Sequence, residues 1–211
     1  VGGDVTIRGE GNPVVDCSAM SGFTVTNGTL TVGGIIFGGY KNANGLFLVE
    51  GGKLVLDGAG ILDANGTKSG SGAVVVRNGA EAELIGGTVL AGCSASGSSL
   101  SVSKRKGYGG GVTVDAGGSL TLGDCTITNC WALNNGGGIF AAEGARVVLT
   151  NGVAVVRDNT SGTKNATTGK GSTIDDLYVA GTDGTEIGTV GQPGEGGAVG
   201  VRYGLTGGVG N

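Results

Sequence analysis

Apolar residues recur two apart in short bursts along the chain, and glycine bounds each burst. The segment 45–61, GLFLVEGGKLVLDGAGI, sets the pattern. It aligns with 72–89, 111–127 and 138–153, and an earlier copy runs over 22–37. Each copy opens on glycine and places a first apolar pair: Phe23/Val25, Leu46/Leu48, Ala73/Val75, Val112/Val114 and Ile139/Ala141. After a short turn comes a second pair, Leu30/Val32, Leu54/Leu56, Ala82/Leu84, Leu120/Leu122 and Val147/Leu149. A third apolar element centres on Ile36, Ile61, Val89, Ile127 and Val153 or Val155. Period-two alternation is the strand signal, because successive side chains point to opposite faces. Short strands of this kind cannot bury their apolar faces alone. Stacking the copies in parallel turns the inward residues into continuous ladders. The expected fold is all-β: a single-stranded right-handed parallel β-helix, about six to seven coils of three short strands, its hand set by the crossover rule.

The copies begin at 22, 45, 72, 111 and 138, while the turns inside each copy keep a nearly constant length. The length variation is therefore expected at one corner, after the third strand. Residues 5–20 read as a partial first coil, with Val5/Ile7 in the second strand and Val14/Val15 in the third. Past Asn159 the register is lost, although 174–181 and 196–204 hold strand-like pieces. No linker interrupts the pattern, so residues 1–211 are expected to form one β-helix domain, a piece of a larger surface protein.

Composition narrows the picture. Fifty glycines with only two prolines and no three-residue period exclude collagen. Charged residues make up 14% and the net charge is −4, which gives no overall pull toward nucleic acid. No apolar run is long enough to span a membrane as a helix. The chain has no histidine, so Ser-His-Asp and Cys-His catalysis and His-ligated metals are excluded.

Three stretches, GGGVTV (109–114), NNGGGIF (134–140) and DCTITNC (124–130), resemble the Gly-Gly-apolar and Asn-rich repeats of right-handed β-helix surface proteins. These are the bacterial adhesin-like and polymorphic outer-membrane proteins of the pectin-lyase-like superfold. RDNTSG (157–162) and DDLYV (175–179) are similar to the closing part of such modules. The resemblance implies an extracellular, bacterial cell-surface location and a non-catalytic, adhesin-like module without a cofactor. Its partners would be a host surface glycan or matrix protein, and other domains of the same polypeptide. The alternatives are a mechanical spacer and, further off, a polysaccharide lyase or hydrolase, since the same superfold hosts such enzymes. Asp57, Asp124 and the Asp175–Asp176 doublet are the carboxylates an enzyme would use. The companion motifs of those enzymes are absent, no arginine sits beside Asp57 or Asp124 in the aligned copies, and both sets read as solvated turn carboxylates.

Candidate binding groups gather at the variable corner. Loop 94–109 concentrates Lys104, Arg105, Lys106 and Tyr108, a basic tip suited either to an anionic glycan or simply to solubility. Trp131, the single tryptophan, begins the same corner one coil later and would either stack on a sugar or cover the core. Cys93 and Cys130 fall at equivalent repeat positions, within reach of a disulfide or packed as two free thiols. Cys17 and Cys125 have no evident partner. Glu50, Arg77, Asp115 and Glu143 occupy equivalent turns and read as an exposed ion-pair row. Sequons at Asn27, Asn65, Asn159 and Asn165 are weak signals in so Asn- and Thr-rich a chain. No metal site is expected.

Overall fold

The structure is a computed structural model that describes residues 1–67, 72–97, 107–150, 153–164, 166–167, 170–179 and 186–189. It is all-β, a parallel β-solenoid of about five turns. Four ladders run its length rather than the expected three. The first holds β3 (Phe23–Val25), β7 (Phe47–Val49), β11 (Val74–Val76), β15 (Val112–Val114), β19 (Ile139–Ala141) and β24 (Leu177–Val179). The second holds β1 (Val5–Arg8), β4 (Thr29–Gly33), β8 (Lys53–Asp57), β12 (Glu81–Ile85), β16 (Ser119–Leu122), β20 (Arg146–Leu149) and β25 (Glu186–Thr189). The third holds β2 (Val14–Asp16), β5 (Ile36–Gly38), β9 (Gly60–Leu62), β13 (Thr88–Ala91), β17 (Cys125–Thr128) and β21 (Ala154–Arg157).

The fourth ladder was not foreseen. It is built from two-residue strands: β6 (Lys41–Asn42), β10 (Asn65–Gly66), β14 (Ser94–Ala95), β18 (Trp131–Ala132) and β22 (Thr160–Ser161). β23 (Thr173–Ile174) closes it in antiparallel pairing with β22. Two residues are too few to show any periodicity, so these strands leave no alternation in the sequence. The corner leading into each of them is turned by one residue of positive φ: Gly39, Asp63, Gly92, Asn129 and Asp158. Glycine, asparagine and aspartate are the residues that enter this conformation at least cost.

In the second ladder the inward rows run as the alternation predicts. Leu30, Leu54, Ala82, Leu120 and Val147 are successive partners, and so are Val32, Leu56, Leu84, Leu122 and Leu149. Val5 and Ile7 extend both rows into the partial first coil. The first ladder is offset from expectation by one residue in two coils. Phe47/Val49 and Val74/Val76, not Leu46/Leu48 and Ala73/Val75, stack on Phe23/Val25 and Val112/Val114. All three residues of β7, β11, β15 and β19 are buried, so alternation cannot set their register. The third ladder likewise aligns Phe37 and Leu90, not Ile36 and Val89, with Ile61 and Ile127, and Val156 completes the row.

The core fills the interior with aliphatic rows. A trio of phenylalanines occupies the N-terminal end, with Phe23 stacked on Phe47 at 5.1 Å and Phe37 edge-on to Phe47 at 5.6 Å. Glycine recurs where each coil leaves the fourth ladder because backbones touch there. A Cβ on Gly110 would fall 2.5 Å from the Trp131 carbonyl oxygen and 2.6 Å from its amide nitrogen. The repeated Gly-Gly text is thus a requirement of close approach.

Past Asn159 the coil continues where the sequence lost register. Ile139 pairs with Leu177, and Arg146 pairs with Glu186. The strand-like piece at 196–204 lies outside the described residues.

Candidate functional site

Between Phe23 and Leu177 the connections inside each coil are two to four residues long, except at one corner. At the exit from the fourth ladder the connections are 43–46, 67–73, 96–111, 133–138 and 162–176. The large variation in connection length therefore falls at the exit from the fourth ladder, one short strand later than expected. Lys104, Arg105 and Lys106 lie outside the described residues. Tyr108 is buried instead of sitting at a tip: its ring packs 4.7 Å from Phe140, and its carbonyl accepts a bond from the Thr113 hydroxyl. With Phe140 and Ala142 it forms a small second cluster on the outer side of the first ladder.

Trp131 stands on the outer face of the fourth ladder, with Ser94 its partner in the coil before and Thr160 in the coil after. It therefore does not cover the solenoid core. Its indole N–H donates to the Gly162 carbonyl at 2.9 Å, and the Lys164 ammonium lies 4.3 Å from the ring centroid. Together they outline a shallow groove of about 180 Å³, lined by Gly92, Ser94, Asn129, Trp131, Asp158, Thr160, Lys164 and Lys170. All of that lining but the two lysines follows from the repeat: residues 92, 129 and 158 are the positive-φ corner, and 94, 131 and 160 are the outward row two residues on. The lysines come from the excursion between β22 and β23. Its base is tied by the antiparallel pair and by the Gly171 amide donating to the Thr160 hydroxyl at 3.0 Å. Lys164 and Lys170 have no signature in the sequence, because their segment matches no other copy.

Asp175 and Asp176, expected in solvent, are buried at 4% and 1% exposure. The Gly136 amide donates to Asp175 Oδ2 at 2.7 Å. The Asn159 amide and side-chain Nδ2 donate to Asp176 Oδ1 at 2.9 and 3.0 Å. Asn159 in turn accepts from the Cys130 amide and donates to the Ile127 carbonyl. These side chains satisfy buried amides of the coil before, alongside the main-chain bonds that Gly138 and Ile139 donate to the same two residues, so the doublet acts as a clasp between the two turns. Burial pushes both carboxyls above their ordinary value, against the lowering effect of their amide donors. The sequon at Asn159 is inaccessible for the same reason, since that residue is fully buried.

Cys93 and Cys130 immediately precede the paired Ser94 and Trp131, on successive coils, and both thiols are free and buried. Burial, reinforced by the neighbouring Cys93, holds the Cys130 thiol well above its usual range, and burial pushes Cys125 up to about 12. Asp57 has a partner that the aligned copies did not reveal. Arg8, two coils below, reaches it at 3.1 Å by passing over Gly33, where no side chain intervenes. Of the ion-pair row, Arg77 bonds Asp115 at 2.8 Å in a partly buried contact. Among the described residues no three His, Cys, Asp or Glu side chains converge to hold a metal ion.

The fold thus defines the chain as a parallel β-solenoid whose most variable edge adjoins a tryptophan-lined groove. No protein-family model matches it, and neither a curated protein nor a solved structure is significantly similar.

Proposed function

We propose that the chain is a non-catalytic, adhesin-like module of a bacterial cell-surface protein, related to the pectin-lyase-like β-helices. It meets host or glycan ligands along the edge from which its loops project. The observation that carries this reading is that the longest and most variable connections, from four to sixteen residues, all fall at the exit of the fourth ladder, beside Trp131. A rigid scaffold with one edge free to change length is how binding surfaces are built on repeat folds. Of the carboxylates that an enzyme of this superfold would need, three are engaged in structural contacts, Asp57 with Arg8, Asp175 with Gly136 and Asp176 with Asn159, while Asp124 is exposed.

The test is an array of glycans and matrix proteins probed with the purified chain. Reproducible, saturable retention on some members is expected. Silence across the array removes the adhesin-like reading and leaves the solenoid as a mechanical spacer. Release of unsaturated product from polyuronates in the presence of calcium would make it an enzyme instead.

A further inference from the structure

We infer that the groove beside Trp131 is a subsite for an acidic saccharide, a sugar ring bearing a carboxylate or sulfate group. This rests on the surface-binding reading and deepens it by naming the ligand class and its place. Three observations converge. The indole is fixed from its edge by the bond to the Gly162 carbonyl and is only partly covered, so it presents an aromatic surface held in one orientation. Such surfaces take the C–H face of a sugar, the apolar part of an otherwise polar ring.

The second observation is charge. Lys164 and Lys170 both line the groove, in a chain whose net charge is −4. The facing acid, Asp158, lies 3.8 Å from Arg157, so its charge is already partly answered. The Lys164 ammonium rests over the indole at 4.3 Å, where the ring quadrupole holds it beside the surface on which a sugar would lie. A ligand carboxylate or sulfate is a stronger partner for an ammonium than the ring is. On binding, Lys164 turns from the ring to the acid group and leaves the ring face to the sugar. The third observation is size and lining. About 180 Å³ is small against the pockets that enclose whole ligands, and it fits one ring of a longer chain passing along the surface. Ser94 and Asn129 offer a hydroxyl and an amide at its edge for sugar hydroxyls.

Because Trp131 is the single tryptophan, its emission reports this groove and nothing else. The probes are trigalacturonate, a sulfated heparin disaccharide and, as the neutral comparison, cellotriose. A saturable change in emission is expected with at least one acidic probe and none with cellotriose. The change should fade at high salt, as surface ion pairing does. Lys164→Ser combined with Lys170→Ser should weaken binding roughly tenfold or more. Trp131→Ala, followed by calorimetry, should abolish it, with unchanged circular dichroism as the check on folding. Equal response to cellotriose, or binding indifferent to the lysine changes, overturns the acidic assignment. Array binding that persists in Trp131→Ala while the emission of the unaltered chain stays constant overturns the subsite but spares the surface-binding reading. An array without any binding removes both.

Discussion

Gly110 shows how narrowly this backbone is specified at the scale of one residue. Its amide donates to Gly136 in the next coil while its α-carbon lies against the Trp131 backbone. A methyl group there has no flexible side chain to displace, only main chain. Gly110→Ala is expected to cost about 3 kcal/mol, the range of a forced backbone shift in a packed interior. Gly38 is the control, with nothing within 4 Å of the same position and no positive φ. Gly38→Ala should change stability by less than about 0.5 kcal/mol. Denaturant melts of the two variants check the contrast, and equal losses would mean that the close approach is not what fixes glycine there. The recurrence of glycine before each first strand was legible in the sequence, whereas its cause was not. Likewise, Arg8 and Asp57 are 49 positions apart with Gly33 between them in the stack. A pairing that skips a coil leaves no trace in aligned copies.

At the scale of elements, legibility followed the difference between the two faces of a strand. The second ladder has one buried face and one partly exposed face, and its register was readable to the residue. The first ladder is buried on both faces and slipped by one in two coils. The fourth has strands too short to carry a pattern. The clasp made by Asp175 and Asp176 was also invisible, since a carboxylate doublet in a glycine-rich stretch reads as a turn until the fold encloses it. That enclosure has a measurable consequence. With folded-state carboxyl values raised above the ordinary 3.8, the native chain binds more protons than the unfolded chain between that value and the raised one. Stability from these groups is therefore fully present at low pH and falls as pH rises through that window. Asp175→Asn keeps an acceptor for the Gly136 amide and removes the titration. The melting temperature of the variant relative to the parent should rise as pH goes from about 4 to 7. A constant difference across that range would show that the Asp175 carboxyl titrates normally.

For the molecule as a whole, stability in a stacked fold is nearly a sum of terms between neighbouring coils. Strands in the middle, such as β8 and β12, are hydrogen-bonded on both sides and cover fully buried leucines. At the N-terminal end β1 and β2 pair on one side only, and the ends of the apolar rows lie open, with Val5 41% and Val14 73% exposed. Opening the first coil loses one set of neighbour terms, whereas opening the third loses two. Toward the other end the clasp adds side-chain hydrogen bonds to the Gly136 and Asn159 amides. Native-state hydrogen exchange should therefore show a lopsided gradient. Amides of β1 and β2 should exchange through local opening at low free energy, and those of β8, β12 and β16 only through global unfolding. The amides of Asn159 and Cys130, held by the clasp and by Asn159 Oδ1, should fall nearer the central group than the N-terminal one. Uniform protection from end to end would mean that the solenoid unfolds as a single cooperative unit, and the neighbour-by-neighbour account of its stability would then be wrong.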